Sequence, residues 1–78
     1  MILYTAVNCN PCKVVKTFIE QHELDVEIRT LSLEEFRSEE IQSLGLRSVP
    51  TLVDNGKLIV NSGNIIEYLK KNQNVSNN

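Results

Sequence analysis

The sequence predicts an α/β domain, a mixed four-stranded sheet flanked by helices in the order β-α-β-α-β-β-α. Three observations predict it. Short apolar, β-prone runs alternate with stretches of helical period. Asn55-Gly56 stands between two apolar runs, the strongest short-range signal of a hairpin. A helical stretch separates the first two strands, which makes them parallel neighbours joined by a right-handed crossover.

The first strand is "ILYTA" (2–6), apolar and too short for a helix. "VNCN" (7–10) interrupts it with turn-prone residues, and Pro11 suits the first position of a helix because its missing N–H has no partner there anyway. Cys12, Val15 and Ile19, with Val14 and Phe18 beside them, form one apolar stripe at helical spacing. Lys13, Lys16, Glu20 and Gln21 fall elsewhere on the wheel.

"DVEIRTL" (25–31) sets Val26, Ile28 and Thr30 against Glu27 and Arg29, the period-two pattern of a strand. Ser32 with Glu35 is a capping-box pair. It predicts a helix of about ten residues, with Leu33, Phe36 and Ile41 inward and Glu34, Glu35, Glu39 and Glu40 on a solvated face. Gly45 suits the helix end. In "SVPTLVDNGKLIVNS" (48–62), "TLV" and "KLIV" flank the Asn-Gly turn. Ser62 or Asn64 then caps a last helix bearing Ile65, Ile66 and Leu69, with Lys70 and Lys71 in its final turn.

The 78 residues correspond to one domain, expected over 1–72, followed by a flexible polar tail at 73–78. Apolar residues make up 41% of the chain, an ordinary globular composition rather than a disordered one. The net charge of -2 argues against a broad basic face, so neither nucleic acid nor an acidic membrane is an expected partner. Met1 leads straight into "ILYTAV", too short for a secretory signal, and no run approaches the length of a membrane span. A cytoplasmic protein is expected.

Both cysteines, Cys9 and Cys12, lie in "VNCNPCK". Two thiols at that spacing can hold a metal, close a staple or exchange electrons. As a staple they close a tiny loop and constrain little of the unfolded chain. As a zinc site they supply two of four ligands, and the lone His22 sits at the far end of the helix. The alternative that survives is a dimer sharing two pairs to bind a metal or an iron–sulfur cluster; no metal site is expected within one chain. Electron exchange fits the placement best. Cys9 precedes the first turn, at the positive end of the helix dipole and beside free N–H groups, which favour thiolate and lower its pKa below the free value of about 8.5. Cys12 is one turn in, on the apolar stripe. Cys9 then attacks a substrate disulfide and Cys12 resolves the mixed disulfide. Asn10 and Pro11 start the helix between the thiols, and Lys13 adds a nearby positive charge screened by solvent. No Asp or Glu occurs in the first ten residues to act as a local base.

"YT…CNPCK", "SVPTLV", "NSGNIIEYL" and the order of elements together resemble the thioredoxin superfamily, and within it the small glutaredoxin-like redoxins, over about residues 1–70. The resemblance implies a thioredoxin-like fold and a dithiol electron carrier that reduces protein disulfides. It implies that Pro50 is cis and faces the cysteines, leaving the Val49 backbone free to pair with an extended substrate. Glutaredoxins commonly carry a Lys before the first Cys and an acid before the last helix to grip glutathione; here Ala6, and Gly63 with Asn64, stand near those places, and Arg47 is the remaining candidate for a carboxylate. The Asn10-Pro11 dipeptide is closer to thioredoxins. "NSGN" is similar to the redoxins that donate electrons to ribonucleotide reductase. The reductant is accordingly glutathione or a thioredoxin-reductase system, with no bound cofactor, and the chain is expected to act as a monomer.

Overall fold

A computed structural model describes residues 1–76, with side chains through Asn72. The elements are β1 (Ile2–Ala6), α1 (Asn10–Gln21), β2 (Glu27–Leu31), α2 (Leu33–Arg37), α3 (Glu39–Ser43), β3 (Thr51–Asp54), β4 (Lys57–Val60) and α4 (Ser62–Ser76). The strands form one sheet in the order β2-β1-β3-β4. β1 and β2 are parallel, with Leu3 opposite Ile28; β1 with β3, and β3 with β4, are antiparallel, with Leu3 opposite Leu52 and Leu52 opposite Ile59. This is the mixed four-stranded α/β sheet that the sequence predicts.

The alternation of side chains along the strands divides the core into two halves. Leu3 and Leu52 pack with Val15 and Ile19 of α1 and with Ile65 and Leu69 of α4. Tyr4 and Leu31 pack on the other face with Ile41 of α3 and Leu46 of the loop after it. Each face is therefore closed by a pair of helices, α1 with α4 and α2 with α3.

The differences from the sequence reading are confined to a few residues. β2 starts at Glu27, and Val26 instead packs against the α1–α4 half of the core. Val14, on the margin of the α1 stripe, is exposed. The expected ten-residue helix is broken in two at Ser38, whose backbone is extended (φ -63, ψ 152). The Ser38 hydroxyl donates to the Glu35 carbonyl at 2.6 Å and accepts from the Ile41 amide at 3.3 Å. It thus serves the end of one helix and the start of the next, the role that makes serine favour caps over helix interiors. The break leaves Ile41 buried but turns Leu33 outward, 65% exposed.

The capping box at the start of α2 forms as expected: the Glu35 amide donates to the Ser32 hydroxyl at 3.1 Å and the Ser32 amide to the Glu35 carboxylate at 3.0 Å. Gly45 follows the Leu44 cap with φ +85. Asn55 and Gly56 both have positive φ, 52 and 81, as a type I′ turn requires. The Tyr68 hydroxyl of α4 donates to the Asp54 carboxylate at the end of β3, which ties the last helix to the hairpin. α4 continues to Ser76; the side chains of the expected tail 73–78, and residues 77 and 78 entirely, lie outside the described residues.

Candidate functional site

β1 ends at Ala6, and two residues later Asn8 adopts φ 59, a left-handed conformation that asparagine tolerates. This turn swings the chain off the sheet and into α1. Cys9 is extended (φ -114, ψ 105) and is the N-cap of the helix. Its Sγ accepts a hydrogen bond from the Cys12 amide at 3.2 Å, the place a serine or aspartate oxygen usually takes. The Lys13 amide donates to the Cys9 carbonyl at 3.1 Å and closes the first turn. Asn10 is the first helical residue, so Pro11 stands one position further in than expected. It is still within the turn whose N–H groups lack helical partners.

Cys9 and Cys12 are joined in a disulfide, with Cα atoms 5.2 Å apart. Cys9 is half-buried, whereas Cys12 is fully buried. The sulfur on the solvent side is therefore that of Cys9. Asn10, Pro11 and Lys13 are exposed around it, and no acidic residue lies in the first turn of α1. His22 caps the opposite end of the helix and stacks on Phe18, with ring centroids 4.3 Å apart.

The second part of the site comes from some forty residues downstream in "SVPT". The Val49–Pro50 peptide is cis. Pro50 is buried and Val49 half-buried, just ahead of β3. Val49 and Ser48 share the walls of a cavity of about 430 Å³ with Ala6 and Val7 at the end of β1. The fold thus brings the segment before Pro50 beside the one leading into Cys9. The other walls, Leu31, Leu33 and Phe36 among them, are mainly apolar. The cavity opens at the carboxyl ends of the two parallel strands, where α/β sheets generally hold their ligands. The polar groups at the start of α2 are spent on their own capping box, and its hydrogen bonds with Ser32 hold the Glu35 carboxyl below its ordinary value of 4.5.

Arg47 is exposed and lines a different cavity, with Phe36, Gln42, Gly45 and Leu46. Among the described residues no group of three or more His, Cys, Asp or Glu side chains is placed to hold a metal ion, and no helix is long and apolar enough to cross a membrane. Sequence reasoning missed Val7, Leu33 and Phe36 as cavity walls. It also missed Thr51, whose buried hydroxyl donates to the Ser48 carbonyl at 2.8 Å. A threonine opening a buried strand where valine would pack as well was the available signal.

The family model described as "Glutathione S-transferase, N-terminal domain" matches residues 3–77. A glutathione S-transferase from the Antarctic clam Laternula elliptica superposes with a TM-score of 0.76 at 28% identity, over 91% of this chain and 34% of that one. A glutathione S-transferase from Drosophila melanogaster does so with a TM-score of 0.73 at 32% identity, again over 91% and 34%. The chain spans about a third of the length of these two enzymes. No curated protein matches. A cysteine pair at a helix start, a cis proline ahead of β3 and a match along nearly the whole sequence lead to one conclusion: the chain belongs to the glutathione S-transferase N-terminal domain family, with the thioredoxin-superfamily fold.

Proposed function

We propose that the protein is a thiol–disulfide oxidoreductase that reduces protein disulfides through Cys9 and Cys12. The observation that carries this reading is the joined pair at the N-terminus of α1, with one sulfur buried and the other toward solvent. In the reduced protein the Cys9 thiolate attacks one sulfur of the substrate disulfide. A mixed disulfide forms and one substrate thiolate leaves. The Cys12 thiolate then attacks the Cys9 sulfur, the Cys9–Cys12 bond forms, and the second substrate thiolate leaves. The substrate gains two electrons and the pair loses two. Protons from solvent complete the thiols.

The backbone of Val49, which Pro50 keeps out of the ladder, offers an extended substrate a place beside Cys9. The cavity next to it accepts the flanking side chains. The electrons come from glutathione, two thiols being oxidised to one disulfide per turn, or from a thioredoxin-reductase system. The likeness to two glutathione S-transferases also motivates a second reading, transfer of glutathione to an electrophile with the same Cys9 end of the site as its seat.

The test is insulin-disulfide reduction by the native chain and by Cys9→Ser, driven in parallel by glutathione with its reductase and by thioredoxin reductase, both with NADPH. Native activity that Cys9→Ser lacks is expected with at least one of the two systems, and the faster one identifies the reductant. Equal rates for the two chains sink the reading. Conjugation of glutathione to an aryl chloride by the native chain, with no insulin reduction, moves the assignment to the transferase.

A further inference from the structure

We propose that Thr51 is a positioning residue for substrate capture: its hydroxyl holds the loop that presents the Val49 backbone beside Cys9. The inference rests on the thiol–disulfide reading above.

Thr51 is the first residue of β3, fully buried, and pairs with Tyr4 on one side and Val60 on the other. Its strand role needs only a β-branched side chain, and valine supplies the same shape without a polar group. A buried hydroxyl must find a partner or it destabilises the fold. Here it reaches back over two residues to the Ser48 carbonyl at 2.8 Å. Among the described residues no loop hydrogen bond between backbone groups spans residues 46–50. The Thr51 hydroxyl is therefore the polar tie that closes the ring from Ser48 to Thr51, and Val49 lies within that ring.

The tie's other end is on the surface, because Ser48 is exposed. Loss of the Thr51 hydroxyl is therefore expected to leave the Ser48 carbonyl to water rather than as a buried orphan. The stability of the sheet should change little. What changes is the definition of the loop: the Val49 peptide must then be ordered by the substrate itself, and that cost appears in binding. The chemistry at Cys9 sits on a different element and does not depend on the tie.

The experiment compares native chain, Thr51→Val and Thr51→Ser on a peptide disulfide, with thermal unfolding and iodoacetamide labelling of reduced Cys9 as companions. In Thr51→Val, KM is expected to rise about tenfold with kcat within about twofold, since the lost interaction serves binding. The melting temperature and labelling rate stay at native values, because the small reagent needs no Val49 contact. Thr51→Ser restores KM. A native KM in Thr51→Val overturns the inference. So does equal impairment in Thr51→Ser, which assigns the effect to the methyl group, or a fall in melting temperature and kcat at constant KM, which makes the residue purely structural. A native chain no more active than Cys9→Ser overturns the oxidoreductase reading itself, and this inference with it.

Discussion

The amide of Cys12 donates a hydrogen bond to the sulfur of Cys9 at 3.2 Å, inside the first turn of α1. One residue of the pair thereby acts as the cap of the helix that carries the other. On reduction the Cys9 sulfur stays at the helix start, on the solvent side of the pair. Cys12 is fully buried. Iodoacetamide at neutral pH should therefore label Cys9 at least about tenfold faster than Cys12. Peptide mapping by mass spectrometry checks this, and faster labelling of Cys12 would reverse the roles.

The same asymmetry predicts the behaviour of single-thiol variants. Cys12→Ser should accumulate a mixed disulfide between Cys9 and substrate, because nothing remains to resolve it. Intact-mass measurement after exposure to oxidised substrate should find the adduct in most of the protein. Its absence, with the adduct formed instead on Cys12 of Cys9→Ser, is the outcome that contradicts the mechanism.

Glu35 makes stability depend on pH on the acid side. Its amide-bonded carboxylate titrates below the ordinary 4.5, chiefly through its hydrogen bond from the Ser32 backbone. A depressed folded value means that the charged form stabilises the fold. That contribution is fully present above about pH 4.5 and is lost as the pH falls through the folded value. Glu35→Gln keeps a carbonyl acceptor for the Ser32 amide but has no charge to lose. The gap in melting temperature between native and Glu35→Gln should be widest above pH 4.5 and close on acidification. A gap that is constant with pH refutes the assignment.

Gly45 tests the backbone at the end of α3. Its φ of +85 lies in the left-handed region, and a Cβ placed there meets only Leu58 Cδ2 at an ordinary 3.8 Å. Gly45→Ala should then cost about 1–2 kcal/mol, all of it conformational. Urea unfolding measures it. An unchanged midpoint would show that the loop shifts freely.

Much of this architecture was legible because it is local. "ILYTA" is β1 residue for residue, Asn55-Gly56 is the turn it resembles, and Ser32 with Glu35 is the capping box. The placement of the two cysteines was legible for the same reason, since one strand end and one helical turn position both thiols. What was hidden depends on the far side of the sheet. Leu33 sits at an inward position of an unbroken helix, but Ser38 bends the path to suit Ile41 and Leu46 against Tyr4, and Leu33 ends outside. The wall formed by Val7, Phe36 and Val49 joins three segments that share no sequence pattern. The Thr51 tie is one hydrogen bond across a loop, which no periodicity reveals.

The strand order has a consequence for how copies of the protein meet. It puts Glu27–Leu31 at one rim and Lys57–Val60 at the other. Both rims are short. One carries Glu27 and Arg29, with Arg29 3.6 Å from Glu40 of α3, and the other opens on Lys57. Short, charged rims are poor templates for a further strand. Pairing of copies edge to edge is thus expected to be disfavoured at the margins of the sheet, independently of its core and of its cysteines.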